Sequence, residues 1–266
     1  FWYWLIAVFV VVSVHEPMHA LFARVERVKV REMGVFLLGL IPLGAFANPD
    51  EKQLKKLNWK GKLRIYAAGS FGNFIVALIL FVLVNYVLFY VWFEPSGVWC
   101  VPREGYPAYD VNLTGVIKQV NGHTIKNIDD LGNLLKTIPP GSRIRVYTDE
   151  DVYNLTTVER PDNETGSYLG IYGNTFYDVK TRLSSYKNPI IWFYNLLIWL
   201  LLINVGVGIV NLFPVKPLDG GLMFEEFAKR YVGKKYANKV VNIVSWLILG
   251  LILLNLFGPS VLSFFT

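Results

Sequence analysis

Trp2-Tyr-Trp-Leu-Ile-Ala-Val-Phe-Val-Val-Val-Ser-Val14 runs without a charge straight into His15-Glu16-Pro17-Met18-His19. With its continuation to Ala23, the apolar run is long enough to cross a bilayer as a helix. Between Phe1 and Ala23 the residues that readily carry charge are His15, Glu16 and His19. Ionisable groups inside such a span are costly to bury and are kept for function. Two histidines four apart lie on one helical face, one turn above the other, so one zinc ion can take both rings. The glutamate beside the first histidine can then serve as general base on a water at the metal, the chemistry of the H-E-x-x-H pattern. The chain holds three histidines, and two of them make this pair.

The composition agrees with a membrane protein: 266 residues, 53% hydrophobic, with a mean hydropathy of +0.39. The single Cys100 excludes an internal disulfide framework and a cysteine-rich metal site, so a metal must use His, Asp, Glu or Asn. The formal charge of +6 does not point to nucleic acid, because the basic residues gather in loops beside apolar spans. The sequence starts at Phe1 rather than Met, which leaves room for an upstream segment such as a signal peptide.

Four spans are expected, at about 1–23, 63–93, 189–212 and 240–265. Between the first two, residues 24–64 carry ten Lys/Arg against four acids and enclose an apolar, Gly/Pro-containing patch, Met33–Ala47. That patch is too short for a span and suits a re-entrant or interfacial hairpin. Residues 214–239 form a second basic loop, with six Lys/Arg against three acids. Both basic loops lie on one side, which the positive-inside rule makes cytoplasmic. Residues 94–188 then face outside or the lumen. They carry ten Lys/Arg and twelve Asp/Glu, with N-x-T sequons at Asn112, Asn154 and Asn163. Three units follow: 1–93, a first membrane half; 94–188, an extracytoplasmic domain; and 189–266, a second membrane half.

The middle unit reads as a strand (115–120), an Asn121-Gly122 turn, a return strand, a short helix over 129–136, and strands near 140–148, 153–158 and 168–172. That order resembles a PDZ domain, whose fold binds extended peptide by strand addition. His123 is expected at the turn, ligating nothing. The fold class is thus a polytopic α-helical membrane protein with an inserted small α/β PDZ-like domain.

A catalytic zinc wants three protein ligands and an open water position. The third is expected from Asn211-Leu-Phe-Pro-Val-Lys-Pro-Leu-Asp219-Gly-Gly221, where Pro214, Pro217 and the two glycines unwind the chain and direct Asp219 toward the first span. At ~1.5 Å per residue, His19 and His15 lie ~7.5 and ~13.5 Å before Arg24, so a zinc would sit roughly 10 Å inside the cytoplasmic border. Asp219 follows the third span at that same border.

Together these motifs resemble the site-2 protease family of intramembrane zinc metalloproteases. The resemblance covers most of the chain. Ile41-Pro-Leu-Gly-Ala-Phe46 looks like the family's glycine-rich membrane hairpin, and Ala67-Ala-Gly-Ser-Phe-Gly-Asn73 like its Ala-Gly-Pro-x-x-Asn segment. It implies one zinc per chain at His15, His19 and Asp219, Glu16 as base, and Asn211 near substrate backbone or a developing oxyanion. Gly44, Ala45 and Phe46 of the hairpin would hold substrate extended, while Asn73 would cap or pack a helix. The implied substrates are transmembrane segments of single-span proteins within the lipid bilayer, filtered by the PDZ-like domain. Met18, Ala45 and Ser70 depart from the family's glycine, glycine and proline, and Pro17 should kink the first span. Two other readings use the same residues: a catalytically inactive scaffold binding partners through the PDZ-like domain, and a metal transporter. A transporter should carry internal repeats, and none is found.

Overall fold

The four runs expected to span a membrane are mainly helical in the computed structural model, which describes residues 1–38, 41–161 and 165–262. The tip of the expected hairpin, Gly39-Leu40, and the sequon at Asn163 lie outside the described residues. Contacts divide the chain into two units: Phe1–Val87 with Trp192–Thr266, and Leu88–Ile191.

The first unit opens with α1 (Trp2–Val25), one uninterrupted helix with Pro17 inside it. The chain leaves it through Arg27 in the left-handed region (φ 61°) and enters two antiparallel strands, β1 (Val30–Leu38) and β2 (Ile41–Pro49). Their register pairs Val35 with Ala45 and Gly34 with Phe46. A short helix, α2 (Glu51–Lys56), follows; six residues are too few to declare a helical period in sequence. Its N-cap Asp50 accepts from the Gln53 amide at 3.0 Å. Asn58 caps α3 (Trp59–Val82) in the same way, accepting from the Gly61 amide at 2.8 Å. Each such cap contributes about 1 kcal/mol. A π-helical turn (Leu83–Leu88) carries α3 into α4 (Phe89–Trp92), completing an apolar span of 34 residues.

The second unit is a mixed β/α fold of β3 (Phe93–Pro102), α5 (Pro107–Asp110), β4 (Val116–Val120), β5 (His123–Thr124), α6 (Ile128–Thr137), β6 (Arg143–Thr148), β7 (Val152–Thr156), β8 (Val158–Glu159), β9 (Ser167–Tyr168) and β10 (Ile171–Val179). The main sheet runs β10-β3-β4-β6-β7 with β5 beside β4, all antiparallel, while β8 and β9 pair separately. Asn121 and Gly122 both have positive φ, as the tight turn between β4 and β5 requires. Asn127 and Asp130 form a reciprocal capping box at the start of α6. Val98, Ile117, Val120, Leu131, Ile144 and Val146 close the core. Strand β3 has no clear signal in sequence, because Pro95, Gly97 and Pro102 interrupt the strand pattern. Instead of one strand over 168–172, Gly170 (φ 78°) separates β9 from a β10 that continues to Val179.

The chain then forms α7 (Lys187–Asn211), α8 (Asp219–Tyr231) and α9 (Lys234–Leu262). The basic segment 214–239, expected as a loop, is mostly helical. The helix α8 buries Gly220, Gly221, Glu226 and Ala228, while its polar residues otherwise hid it. Among the described residues, four helices are long and apolar enough to cross a membrane: Trp2–Val25, Trp59–Trp92, Thr181–Asn211 and Lys234–Phe257.

Candidate metal centre

His15 and His19 project from one face of α1, and both residues are at least nine-tenths buried. The irregular stretch Pro214–Leu218 ends α7 and delivers Asp219 as the first residue of α8, as the prolines and glycines suggested. Side chains at the next two positions would block this approach. A Cβ on Gly220 would lie 2.2 Å from the Leu212 carbonyl group, and one on Gly221 would lie 2.6 Å from the Lys216 amide nitrogen.

Asp219 Oδ2 sits 3.1 Å from His15 Nε2 and 3.2 Å from His19 Nε2. Ligand atoms of these three residues all lie within 4.8 Å of one another, and no other such group occurs among the described residues. Tetrahedral zinc with bonds of ~2.0–2.1 Å separates neighbouring ligand atoms by roughly 3.3 Å. Two imidazole nitrogens and a carboxylate oxygen at these spacings therefore fit a three-ligand zinc site with one open position. Burial opposes ionisation of Asp219, but the two imidazoles outweigh it and hold the carboxyl below the usual carboxylate range.

The far side of each ring is also held. His19 Nδ1–H donates to the Ile65 carbonyl at 2.7 Å, so in the neutral ring the lone pair sits on Nε2. Asn73 Nδ2 lies 3.0 Å from His15 Nδ1. Asn73, expected to cap or pack a helix, instead meets the ring of His15. Both contacts come from α3, and Gly69 lies between them. A Cβ there would meet His19 Nε2 at 2.4 Å and His15 Nε2 at 2.5 Å. A Cβ on Gly72 would meet Met18 Cγ at 2.5 Å, so the bulky Met18 is accommodated by a glycine on the facing helix.

Glu16, turned away from the histidine face, accepts the Ala47 amide of β2 at 2.8 Å. It is thereby tied to the strand that carries Gly44, Ala45 and Phe46. Phe46 packs on Phe36 with ring centroids 5.0 Å apart. Asn211 is the last residue of α7 and has no hydrogen bond to the histidines or Asp219. His123 is exposed in β5 and joins no group of possible ligands.

Glu225 and Glu226 are engaged elsewhere. Glu226 pairs with Lys62 of α3 at 3.2 Å and with Lys229 at 2.8 Å, and Glu225 pairs with Lys216 and Lys229. Burial opposes ionisation of Glu225, yet the two ammonium groups hold its carboxyl below the ordinary glutamate value. The Lys62–Glu226 pair ties α8, and with it Asp219, to α3.

The family model described as Peptidase family M50 matches residues 3–255. A Methanocaldococcus jannaschii protein named "Uncharacterized protein MJ0971" is 25% identical over 272 residues, covering 95% of this chain and 69% of that protein. A Bartonella henselae protein named "Putative zinc metalloprotease BH06270" is 35% identical over 65 residues, 24% of this chain and 18% of that one. Metalloproteases of the matched family are zinc-dependent, in keeping with the ligand set. With the family match spanning nearly the whole chain and four membrane-length helices, this integral membrane protein belongs to peptidase family M50, the site-2 protease family.

Proposed function

We propose that the chain is an intramembrane zinc metalloprotease that hydrolyses peptide bonds within transmembrane segments of single-span proteins. The observation that carries this reading is the meeting of His15, His19 and Asp219 beside Glu16, whose carboxylate also touches the β2 strand. Zinc held by these three residues would supply Lewis acidity at the scissile carbonyl and lower the pKa of an attacking water. Glu16 takes the proton of that water and returns it to the leaving amide nitrogen. A general base of this kind contributes ~10²–10⁴-fold in rate.

The substrate helix must open before attack, because its amides are hydrogen-bonded and its backbone is shielded. Strand addition to β2 supports that step. The Ala47 amide donates to Glu16 rather than to β1, so it lies on the outward edge of β2. Along a strand that orientation repeats every second residue, which turns the Ala45 backbone the same way. Gly44, Ala45 and Phe46 are the positions we assign to substrate backbone, and Asn211 to the reacting carbonyl.

We read the middle unit, 94–188, as a PDZ-like domain that filters substrates by their outer portion. Its β4–turn–β5–α6–β6 order and its edge strand β10 support this. The basic excess flanking the first and third spans supports a cytoplasmic position for the metal centre and an extracytoplasmic one for this domain. Incubating the purified protein with a panel of single-span substrates, with chelator and then with zinc restored, tests the activity. Cleavage abolished by chelator and recovered with zinc is expected. Cleavage indifferent to chelator, or absent across the panel for zinc-loaded protein, would overturn the proposal.

A further inference from the structure

The helix α3 meets the metal centre through three residues four apart: Ile65, Gly69 and Asn73. Backbone carbonyls point toward a helix's C-terminus and side chains lean toward its N-terminus. The Ile65 carbonyl and the Asn73 amide, ~12 Å apart along the axis by Cα, therefore converge on the level of Gly69. There the missing side chain leaves room for both imidazoles. The histidines of α1, one turn apart, are gripped between them: His19 by Ile65 and His15 by Asn73.

The two grips differ chemically. A backbone carbonyl only accepts, so a neutral His19 keeps its proton on Nδ1 and its lone pair on Nε2. An amide can present either end. With nitrogen toward the ring, His15 Nδ1 accepts and its proton sits on Nε2, facing Asp219 Oδ2. With oxygen toward the ring, Nδ1–H donates and Nε2 offers a lone pair to a metal. Asn73 is fully buried, and its Oδ1 has no partner. A buried, unpaired amide oxygen is costly and calls for an explanation. Here it is the acceptor that the metal-binding tautomer of His15 needs, brought round by a half-turn of the amide.

We propose that Asn73 is a positioning residue for the metal centre: it holds the His15 ring by Nδ1, aims Nε2 at the ion, and accepts a hydrogen bond from Nδ1–H when metal binds. Outer partners of ligand histidines fix their tautomer and orientation, and losing one costs ~10–100-fold in metal affinity. The inference rests on the zinc reading above, and its test is arranged so that the two can fail separately.

The experiment measures zinc affinity of the full chain in detergent by competition with a chromophoric chelator. It also records the visible spectrum of the cobalt-substituted protein and thermal stability without added metal. Asn73→Leu, similar in size, should lose ~10–100-fold in zinc affinity and show an altered cobalt spectrum, without a matching fall in metal-free stability. Asn73→Asp, which still offers an acceptor, should restore affinity and spectrum toward wild type. Wild-type affinity in a folded Asn73→Leu, or an Asp variant as impaired as the Leu variant, would overturn the inference. If Asn73→Leu does not fold, Asn73→Ser, too short to reach the ring, should show the same loss, and wild-type affinity there overturns it equally. A wild-type protein that binds no zinc would sink the metal reading and this inference with it. Normal wild-type binding with an unaffected Leu variant would sink the inference alone.

Discussion

Replacing Gly69 with alanine separates a metal-site glycine from an ordinary helix-packing one. Alanine is favoured over glycine inside a helix by about 1 kcal/mol, so a glycine with open space around it would yield a more stable protein. Here the added Cβ would sit 2.4 Å from His19 Nε2 and 2.5 Å from His15 Nε2. Ordinary contact is ~3.5 Å, so the rings or the helices must separate by about 1 Å. Overpacking of this kind costs ~1–3 kcal/mol, which offsets the propensity gain and leaves a net stability change between roughly zero and 2 kcal/mol. The metal is affected more strongly, because ligand distances must hold within ~0.2 Å. A 1 Å displacement of the ring nitrogens should lower zinc affinity by roughly 100-fold, equivalent to ~2.7 kcal/mol. Chelator competition on detergent-purified wild type and Gly69→Ala reads the affinity, and thermal unfolding in excess chelator reads the scaffold. A Gly69→Ala protein that is more stable than wild type and binds zinc equally well would refute the close approach of α3 to the histidines.

Asp219→Ala should lose most zinc affinity while remaining folded, since two histidines alone make a weak site; unchanged affinity and stoichiometry in competition titrations would reopen the third ligand. Glu226→Ala leaves Lys62, whose side chain is only 15% exposed, without its partner, and should destabilise the protein by ~3 kcal/mol in denaturant unfolding. An effect under about 1 kcal/mol would mean that the α3–α8 ion pair contributes no more than an exposed one. Cys100 is buried in the second unit, which pushes its thiol up to about 11, so maleimide should label the native protein slowly at neutral pH and the unfolded chain fast. Rapid native labelling would contradict the packing around β3.

The facing of His15 and His19, with Glu16 beside them, was legible because it depends only on spacing along a single helix within a charge-free run. Asp219 was legible because Pro214, Pro217 and Gly220-Gly221 forbid a continuing helix and force the chain to turn where it does. The contribution of α3 was not. It depends on the register between α1 and α3, which no local pattern encodes. One of its three groups is a backbone carbonyl, which any residue supplies, and another is a glycine, which in sequence reads as generic helix packing. The helix α8 was hidden for the opposite reason. Its turn residues dominate the local signal, and its buried Glu226 breaks the apolar stripe that would have announced an amphipathic helix.

Glu16 touches β2 but lies off the face that carries His15 and His19. Glu16→Gln keeps the side chain's size and removes the base. Zinc per chain and cleavage of a purified single-span substrate, measured on one preparation, should separate: zinc retained at one per chain, cleavage reduced by at least ~100-fold. Cleavage near the wild-type rate would remove Glu16 from the chemistry. Loss of zinc would make Glu16 a ligand and contradict the centre built from His15, His19 and Asp219.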